Sequence, residues 1–224
     1  MTRWEPNARG RLQQAALDLF SERGYEDTTV AEIAARAGLT ERTFFRHFAD
    51  KREVLFDGSS ELQQLLVGAI ADAPDSTAPI EAVAAALEAA AKMFEGRREL
   101  ARTRQSIVAA SAELRERELI KLATLSLAIA DALRRRGVTE PAASLTAEAG
   151  IAVFKVAFER WAGDSGEQDL SQLMRNGLSE LKLLTAGLDQ TGVGPDRARA
   201  TITARSPASH AASASKPASS SHRS

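Results

Sequence analysis

Residues 28–51, TTVAEIAARAGLTERTFFRHFADK, contain two short helical patterns separated by a glycine. In the first pattern, Thr29 and Glu32 have the spacing of a capping box, in which each side chain bonds the backbone amide of the other residue. Gly38 ends this helix, and Thr40 is a suitable N-cap for the second helix. Two short helices joined by a glycine turn are typical of a helix-turn-helix, which places its second helix against DNA.

The second short helix carries side chains that suit contact with DNA. Phe44 and Phe48 are four residues apart and fit an inner face, so Phe45 and His47 lie on another face, toward DNA. Arginine reads guanine edges or binds phosphate, and threonine hydroxyls and lysine suit the DNA backbone. The predicted DNA-binding residues are Thr29, Thr40, Arg42, Thr43, Phe45, His47 and Lys51. Near the N-terminus, Arg3, Arg9 and Arg11 either contact flanking phosphates or have no role.

Helical periodicity extends on both sides of this segment. Apolar residues from Leu12 to Phe20 recur at helical spacing, and Gly24 ends that helix. Asp50 and Glu53 form a second capping-box pattern, which predicts the start of a longer helix. Five further helical patterns follow up to about residue 186, and no β-alternation of useful length appears. The fold class is therefore all-α with nine helices.

The amino-acid composition excludes several classes of function. The chain has 224 residues, no cysteine, and 29 Lys and Arg against 30 Asp and Glu. The lack of cysteine excludes thiol nucleophiles and Cys-based zinc sites, and His47 is the only histidine outside the C-terminal tail. No Gly-rich phosphate loop, H-E-x-x-H or G-x-S-x-G motif occurs. We therefore expect no enzyme activity, no metal and no cofactor.

Without a membrane span or signal peptide, we expect a cytoplasmic protein that does not bind membranes.

The charge is unevenly distributed along the chain. Residues 1–56 contain nine basic and nine acidic side chains, residues 57–186 have a net charge of −4, and residues 187–224 have a net charge of +3. The last segment is mostly Ala, Ser, Pro and Arg, which predicts a disordered tail. A chain with near-zero total charge is thus compatible with a DNA-binding face in its first part.

Residues 28–51 closely resemble the DNA-binding signature of the TetR family of bacterial transcriptional regulators, and residues 15–25, AALDLFSERGY, are similar to the first helix of that family. The resemblance covers about residues 9–56. It implies a nine-helix subunit that works as a homodimer, with three DNA-binding helices followed by a ligand-binding and dimerisation domain. Two positions depart from the family. Phe45 stands where a phosphate-binding Tyr is frequent, and Arg42 stands where a small residue is common, so the operator does not carry over.

From these observations we expect a helix-turn-helix DNA-binding domain over residues 1–50, a helical effector-binding and dimerisation domain over 51–187, and the tail over 188–224. The dimer is predicted to form through the eighth and ninth helices, whose apolar residues extend beyond one buried stripe. Large apolar side chains and one arginine are candidates to line a cavity for an unidentified small-molecule effector. The predicted cavity residues are Met93, Phe94, Arg104, Phe154, Phe158 and Trp161.

The leading hypothesis is a homodimeric repressor released from a palindromic double-stranded DNA operator by a small molecule. An effector-independent regulator or an activator with the same DNA-binding domain is the alternative. A helical enzyme lacks the expected catalytic motifs, and a structural scaffold leaves the segment from Thr29 to Lys51 unexplained.

Overall fold

The computed structural model describes residues 7–163 and 168–190, with side chains described to residue 186. Within these ranges the chain forms nine α-helices, one 3-10 helix and no β-strand, which confirms the all-α prediction. The α-helices are α1 (Ala8–Arg23), α2 (Val30–Arg36), α3 (Glu41–His47), α4 (Ser59–Asp72), α5 (Pro79–Lys92), α6 (Arg98–Ala110), α7 (Ala112–Arg135), α8 (Ala142–Gly163) and α9 (Leu170–Gln190). The 3-10 helix, Glu53–Phe56, lies between α3 and α4.

The first three helices pack around one apolar cluster. Phe44 of α3 is completely buried, together with Leu12 and Leu19 of α1 and Ile33 of α2. The predicted capping box at the start of α2 is confirmed. The backbone N–H of Thr29 donates to Glu32 Oε2 at 2.9 Å, and the backbone N–H of Glu32 donates to Thr29 Oγ1 at 3.3 Å.

This N-terminal cluster continues into the rest of the chain. Val54, Leu55 and Phe56 of the 3-10 helix belong to it, and so do Ile107 of α6 and Leu114 of α7. Polar contacts span the same region, since Tyr25 Oη donates to Glu113 Oε1 at 3.3 Å. The first three helices therefore rest directly on α6 and on the first turns of α7.

A larger apolar cluster is formed by the helices from α4 to α9. Glycine permits close helix packing at two positions in it. A Cβ atom at Gly150 of α8 would lie 2.5 Å from Val83 Cγ1 of α5, and one at Gly177 of α9 would lie 3.0 Å from Val153 Cγ1 of α8. Gly177 therefore serves the contact between α8 and α9 within the chain.

The prediction of a long helix opening at Asp50 with a capping box is wrong in two respects. Asp50 Oδ1 does accept hydrogen bonds from the backbone N–H groups of Arg52 (2.9 Å) and Glu53 (3.2 Å). The Glu53 side chain does not return to Asp50, however, but binds α7. The segment forms a short 3-10 helix, and Gly58 at φ +88° separates it from α4.

The described residues up to Leu184 form one compact unit, and Thr185 begins a second unit, of which only residues 185–190 are described. α9 continues to Gln190 and so includes the start of the segment predicted as a tail. The remainder of that prediction, residues 191–224, lies outside the described residues. None of the described helices is both long enough and apolar enough to cross a membrane.

Candidate DNA-binding surface and central cavity

One face of α3 is exposed and carries four of the predicted DNA-binding residues. Arg42 is exposed, and the ring of Phe45 is 54% exposed although it touches the buried Phe44 at a centroid distance of 5.5 Å. Thr40 caps the helix, because its Oγ1 accepts from the backbone N–H of Thr43 at 3.2 Å. The hydroxyls of Thr40 and Thr43 lie 3.1 Å apart. The helix thus presents a cation, a ring and two hydroxyls on an outer surface.

His47 and Lys51 are placed differently from the others. His47 is half-buried, and its Nε2 is buried without a hydrogen bond to any described residue. Lys51 Nζ donates to the backbone carbonyls of Tyr25 (2.8 Å) and Thr28 (3.1 Å), and it lies 4.1 Å from the centre of the Tyr25 ring. Lys51 therefore anchors the turn between α1 and α2. Contact of His47 or Lys51 with DNA stays a prediction.

Two N-terminal arginines have partners within the chain. Arg11 Nε donates to the carbonyl of Ala37 at 3.1 Å, at the end of α2. Arg9 forms an ion pair with Asp57, and its guanidinium lies 5.4 Å from the centre of the Phe48 ring. These contacts fix α1 against the turn between α2 and α3 and against the residues that precede α4. Neither contact has a local sequence signal, because the partners are far apart along the chain.

A cavity of about 370 Å³, here called the central cavity, lies beside the DNA-binding helices. Its walls come from α1, the 3-10 helix, α4, the segment from the end of α5 into α6, α7 and α8. Of the predicted cavity residues, the structure places these in its wall: Met93, Phe94, Arg104, Phe154 and Phe158. Trp161 is buried behind the wall, with its ring 5.6 Å from that of Phe158.

Charged residues complete the wall on the side of the 3-10 helix. Arg104 Nε donates to the carbonyl of Leu55 at 2.7 Å, and its Nη1 donates to Glu118 Oε1 at 2.9 Å. Lys121 also lines the cavity and donates to Glu53 Oε2 at 2.9 Å. Sequence reasoning missed Glu118 and Lys121, because the alternating charges of this part of α7 resemble an exposed helix face.

The environment of Glu53 favours its charged form. Partial burial raises the pKa of Glu53, but hydrogen bonds and attraction from Lys121 and Arg117 outweigh that effect, so its pKa lies below the ordinary value. Glu53 is therefore ionised at neutral pH and remains paired with both cations.

Taken together, the exposed α3, the capped α2 and the buried Phe44 define a helix-turn-helix DNA-binding protein. Residues 12–57 match the family model described as bacterial regulatory proteins, tetR family, and residues 77–189 match the model of the MftR C-terminal domain. The chain belongs to the TetR family, and it is a DNA-binding transcriptional regulator of that family.

Three known proteins illustrate the similarity. The chain is 40% identical over 81 residues to the transcriptional regulator TcmR of Streptomyces glaucescens, a match that spans 36% of each chain. It is 28% identical over 191 residues to the transcriptional regulator MftR of Mycobacterium tuberculosis, covering 83% of this chain and 90% of MftR. The crystal structure of Thermus thermophilus FadR, a repressor in complex with lauroyl-CoA, aligns with a TM-score of 0.50 at 23% identity, over 91% of this chain and all of the other.

Proposed function

We propose that the protein is a homodimeric repressor that binds a palindromic operator through α3 and leaves it when a small molecule occupies the central cavity. The observation that carries this proposal is the outer face of α3, where Arg42 and Phe45 are exposed at the end of a well-packed helix-turn-helix. A bacterial regulator of this kind acts on the chromosome, and therefore in the cytoplasm.

The contacts with DNA follow from the chemistry of that face. Arg42 reaches a guanine edge or a phosphate, and Thr40 and Thr43 bond the sugar-phosphate backbone or base edges. Phe45 packs against apolar base or sugar atoms, because its ring has no hydroxyl for a phosphate. Thr29 stands at the N-terminus of α2, where free amide groups favour a phosphate.

An exposed apolar stripe on α8 supports the proposed dimer. Leu145 and Val156 are 65% and 64% exposed, and Ala149 and Ala152 lie between them at helical spacing. Leu183 near the end of α9 is also largely exposed. Large aliphatic side chains exposed in a row mark an association surface. A two-fold dimer through α8 and α9 presents two copies of α3 to a palindromic site.

Selection of bound duplexes from random DNA tests the DNA-binding part of this proposal, since it returns the half-site and the spacing together. With the selected operator, the double variant Arg42→Ala with Thr43→Ala is compared with Arg135→Ala, which removes an exposed cation from the end of α7. A bidentate Arg–guanine contact is worth about 1–3 kcal/mol, so the loss of Arg42 lowers operator affinity by roughly 5–150-fold. Arg135→Ala leaves it nearly unchanged.

Two results would contradict this proposal. If the selection returns no preferred sequence, or if both variants bind the operator equally well, α3 does not recognise the DNA sequence. Salt provides a second check, because binding that depends on phosphate contacts weakens steeply as the salt concentration rises.

Release by a ligand requires a separate measurement. A thermal-shift screen identifies molecules that stabilise the protein, and these are then added to the complex with operator DNA. An effector must bind the free and the DNA-bound conformations with different affinity. If the stabilising molecules never release the operator, the hypothesis of an effector-independent regulator is favoured over that of a ligand-released repressor.

A further inference from the structure

The 3-10 helix Glu53–Phe56 is held by cations from α6 and α7. Glu53 Oε1 accepts from Arg117 Nε at 2.7 Å, and its Oε2 accepts from Lys121 Nζ at 2.9 Å. The Glu53 side chain is 20% exposed, so both ion pairs are partly shielded from water. Arg117 and Lys121 are one turn apart on α7. This pair of contacts ties the segment that follows α3 to the wall of the central cavity.

A third cation, Arg104, holds the same 3-10 helix from α6. Arg104 donates to the carbonyl of Leu55, and its guanidinium lies 5.0 Å from the centre of the Phe56 ring. Its remaining charge is satisfied by Glu118 at 2.9 Å. The 3-10 helix therefore depends on Arg104 and Lys121, and both of these side chains line the central cavity.

The charges in the cavity wall favour an anionic group. Three cations line it, Arg97, Arg104 and Lys121, against two carboxylates, Asp57 and Glu118. Asp57 is already paired with Arg9. Arg97, at the start of α6, forms no ion pair within the part of the chain that the structure describes. Arg104 is paired with Glu118 and Lys121 with Glu53, so Arg97 supplies the unmatched positive charge that a ligand carboxylate meets.

The remaining wall is apolar and aromatic. The rings of Phe94 and Phe158 are 5.1 Å apart in an edge-to-face arrangement, and those of Phe154 and Phe158 are stacked at 5.7 Å. Such a wall accommodates a hydrocarbon or ring system, and the cations accommodate its charged end. The two parts of the wall together fit an amphipathic anion.

We propose that the central cavity takes an amphipathic carboxylate whose head group competes with Glu53 for Lys121, so that binding loosens the 3-10 helix that follows α3. The inference rests on the proposed function, because loosening this segment matters only if α3 holds DNA. A neutral ligand of the same shape leaves Lys121 paired with Glu53, so it does not loosen the 3-10 helix through this contact. Competition is reciprocal, so removing the Glu53 charge strengthens binding of the carboxylate.

The experiment measures ligand binding to the full chain by calorimetry, without DNA. The probes are decanoate and 1-decanol, which share a chain and differ in the charged head. A hydrogen bond to a charged group predicts that the wild type prefers decanoate by roughly tenfold. Lys121→Met keeps the apolar stem of the side chain and loses this preference. Glu53→Gln binds decanoate about fivefold more tightly, within the usual range of coupling between sites, and leaves 1-decanol unchanged.

Glu113→Gln is the matched control. Glu113 also ties the N-terminal helices to α7, through Arg52 at 3.1 Å and Tyr25 at 3.3 Å, but it does not line the cavity. Its substitution removes one negative charge near the same boundary, and decanoate affinity stays at the wild-type value. Circular dichroism confirms that each variant keeps its helical content.

Three results overturn the inference. If the wild type binds decanoate and 1-decanol with equal affinity, the cavity does not recognise the carboxylate. If Glu53→Gln leaves decanoate affinity unchanged, the ligand does not compete with Glu53 for Lys121. Equal gains in Glu53→Gln and Glu113→Gln show a general charge effect instead of a shared partner at Lys121. Operator binding is measured on the same samples: if the wild type binds no operator, the proposed function fails, whereas failure of the ligand arms alone refutes only this inference.

Discussion

Substitution of Gly150 by alanine tests whether α5 and α8 pack as closely as the structure shows. The residue is buried in α8 and faces the fully buried Val83 of α5. A Cβ atom added at Gly150 would lie 2.5 Å from Val83 Cγ1. α8 carries Phe154 and Phe158, so this contact also sets the position of one wall of the central cavity.

Two effects of Gly150→Ala oppose each other. Alanine is favoured over glycine in a helix interior by about 1 kcal/mol. Overpacking a core costs about 1–3 kcal/mol, and the clashing atom belongs to a β-branched side chain that is stiff at χ1. Because 2.5 Å is far inside van der Waals contact, we expect the upper part of that range. The net result is a loss of about 1–2 kcal/mol in the free energy of unfolding.

Gly68 in α4 is the control, because a Cβ atom there meets no atom within 4 Å. Gly68→Ala therefore shows the helical preference alone, a gain of about 1 kcal/mol. The partner variant Val83→Ala, combined with Gly150→Ala, relieves the clash. A double-mutant cycle then gives a favourable coupling of about 1 kcal/mol or more between the two positions.

Urea unfolding followed by circular dichroism measures the four proteins of the cycle and the Gly68→Ala control, with the slope m checked for constancy. If Gly150→Ala is as stable as the wild type or more stable, the clash is absent and the spacing between α5 and α8 is larger than described. If the cycle shows no coupling, the loss arises somewhere other than Val83. Either result would refute the packing argument.

Four further predictions concern the DNA-binding helices, the exposed stripe of α8 and the 3-10 helix. Thr29→Ala removes the cap of α2 and lowers the free energy of unfolding by about 1 kcal/mol in urea unfolding. Phe45→Tyr adds a hydroxyl for a phosphate and raises operator affinity by roughly fivefold in a titration. The salt dependence stays unchanged, because a neutral hydroxyl releases no counterion. Val156→Glu places a charge on the exposed stripe of α8, and if the proposed dimer forms there it shifts sedimentation from dimer to monomer. Glu53 has a folded pKa below its ordinary value of 4.5, so it stabilises the fold above that pH and loses this contribution as the pH falls through the folded pKa. The stability difference between the wild type and Glu53→Gln is therefore present at pH 7 and closes in acid unfolding measurements below about pH 4.

The helix-turn-helix was predictable because its determinants are local. Thr29 and Glu32 are three residues apart, and Phe44 and Phe48 are four apart, so spacing alone indicates the cap and the buried face. Glu53 shows the limit of the same reasoning. Its spacing from Asp50 predicts a local cap, but its partners lie 64 and 68 residues further along the chain. A local pattern contains no information about such partners.

The cavity was predictable in its apolar part and not in its charged part. Large apolar side chains after residue 90 were the candidates for a cavity wall, and Phe94, Phe154 and Phe158 lie in the wall of the central cavity. The charges of α7 follow one another as on an exposed surface, yet Glu118 and Lys121 are half-buried. Their burial depends on how α7 crosses the 3-10 helix, a tertiary arrangement that charge patterning does not encode.

A ligand-released regulator needs an element whose position is influenced both by the ligand and by the DNA-binding helix. The 3-10 helix meets this requirement: its apolar residues belong to the core around Phe44, while Glu53 and the Leu55 carbonyl bind cations of the cavity wall. Coupling between two sites is typically 1–3 kcal/mol, or roughly 5–150-fold in affinity. Ion pairs that are exposed to water are worth about 0.2–1 kcal/mol each, and partial shielding of Glu53 increases that value. Loss of the Lys121 contact together with weakening of the Arg104 contact therefore supplies coupling of the required size, without dismantling the apolar core that keeps α3 folded.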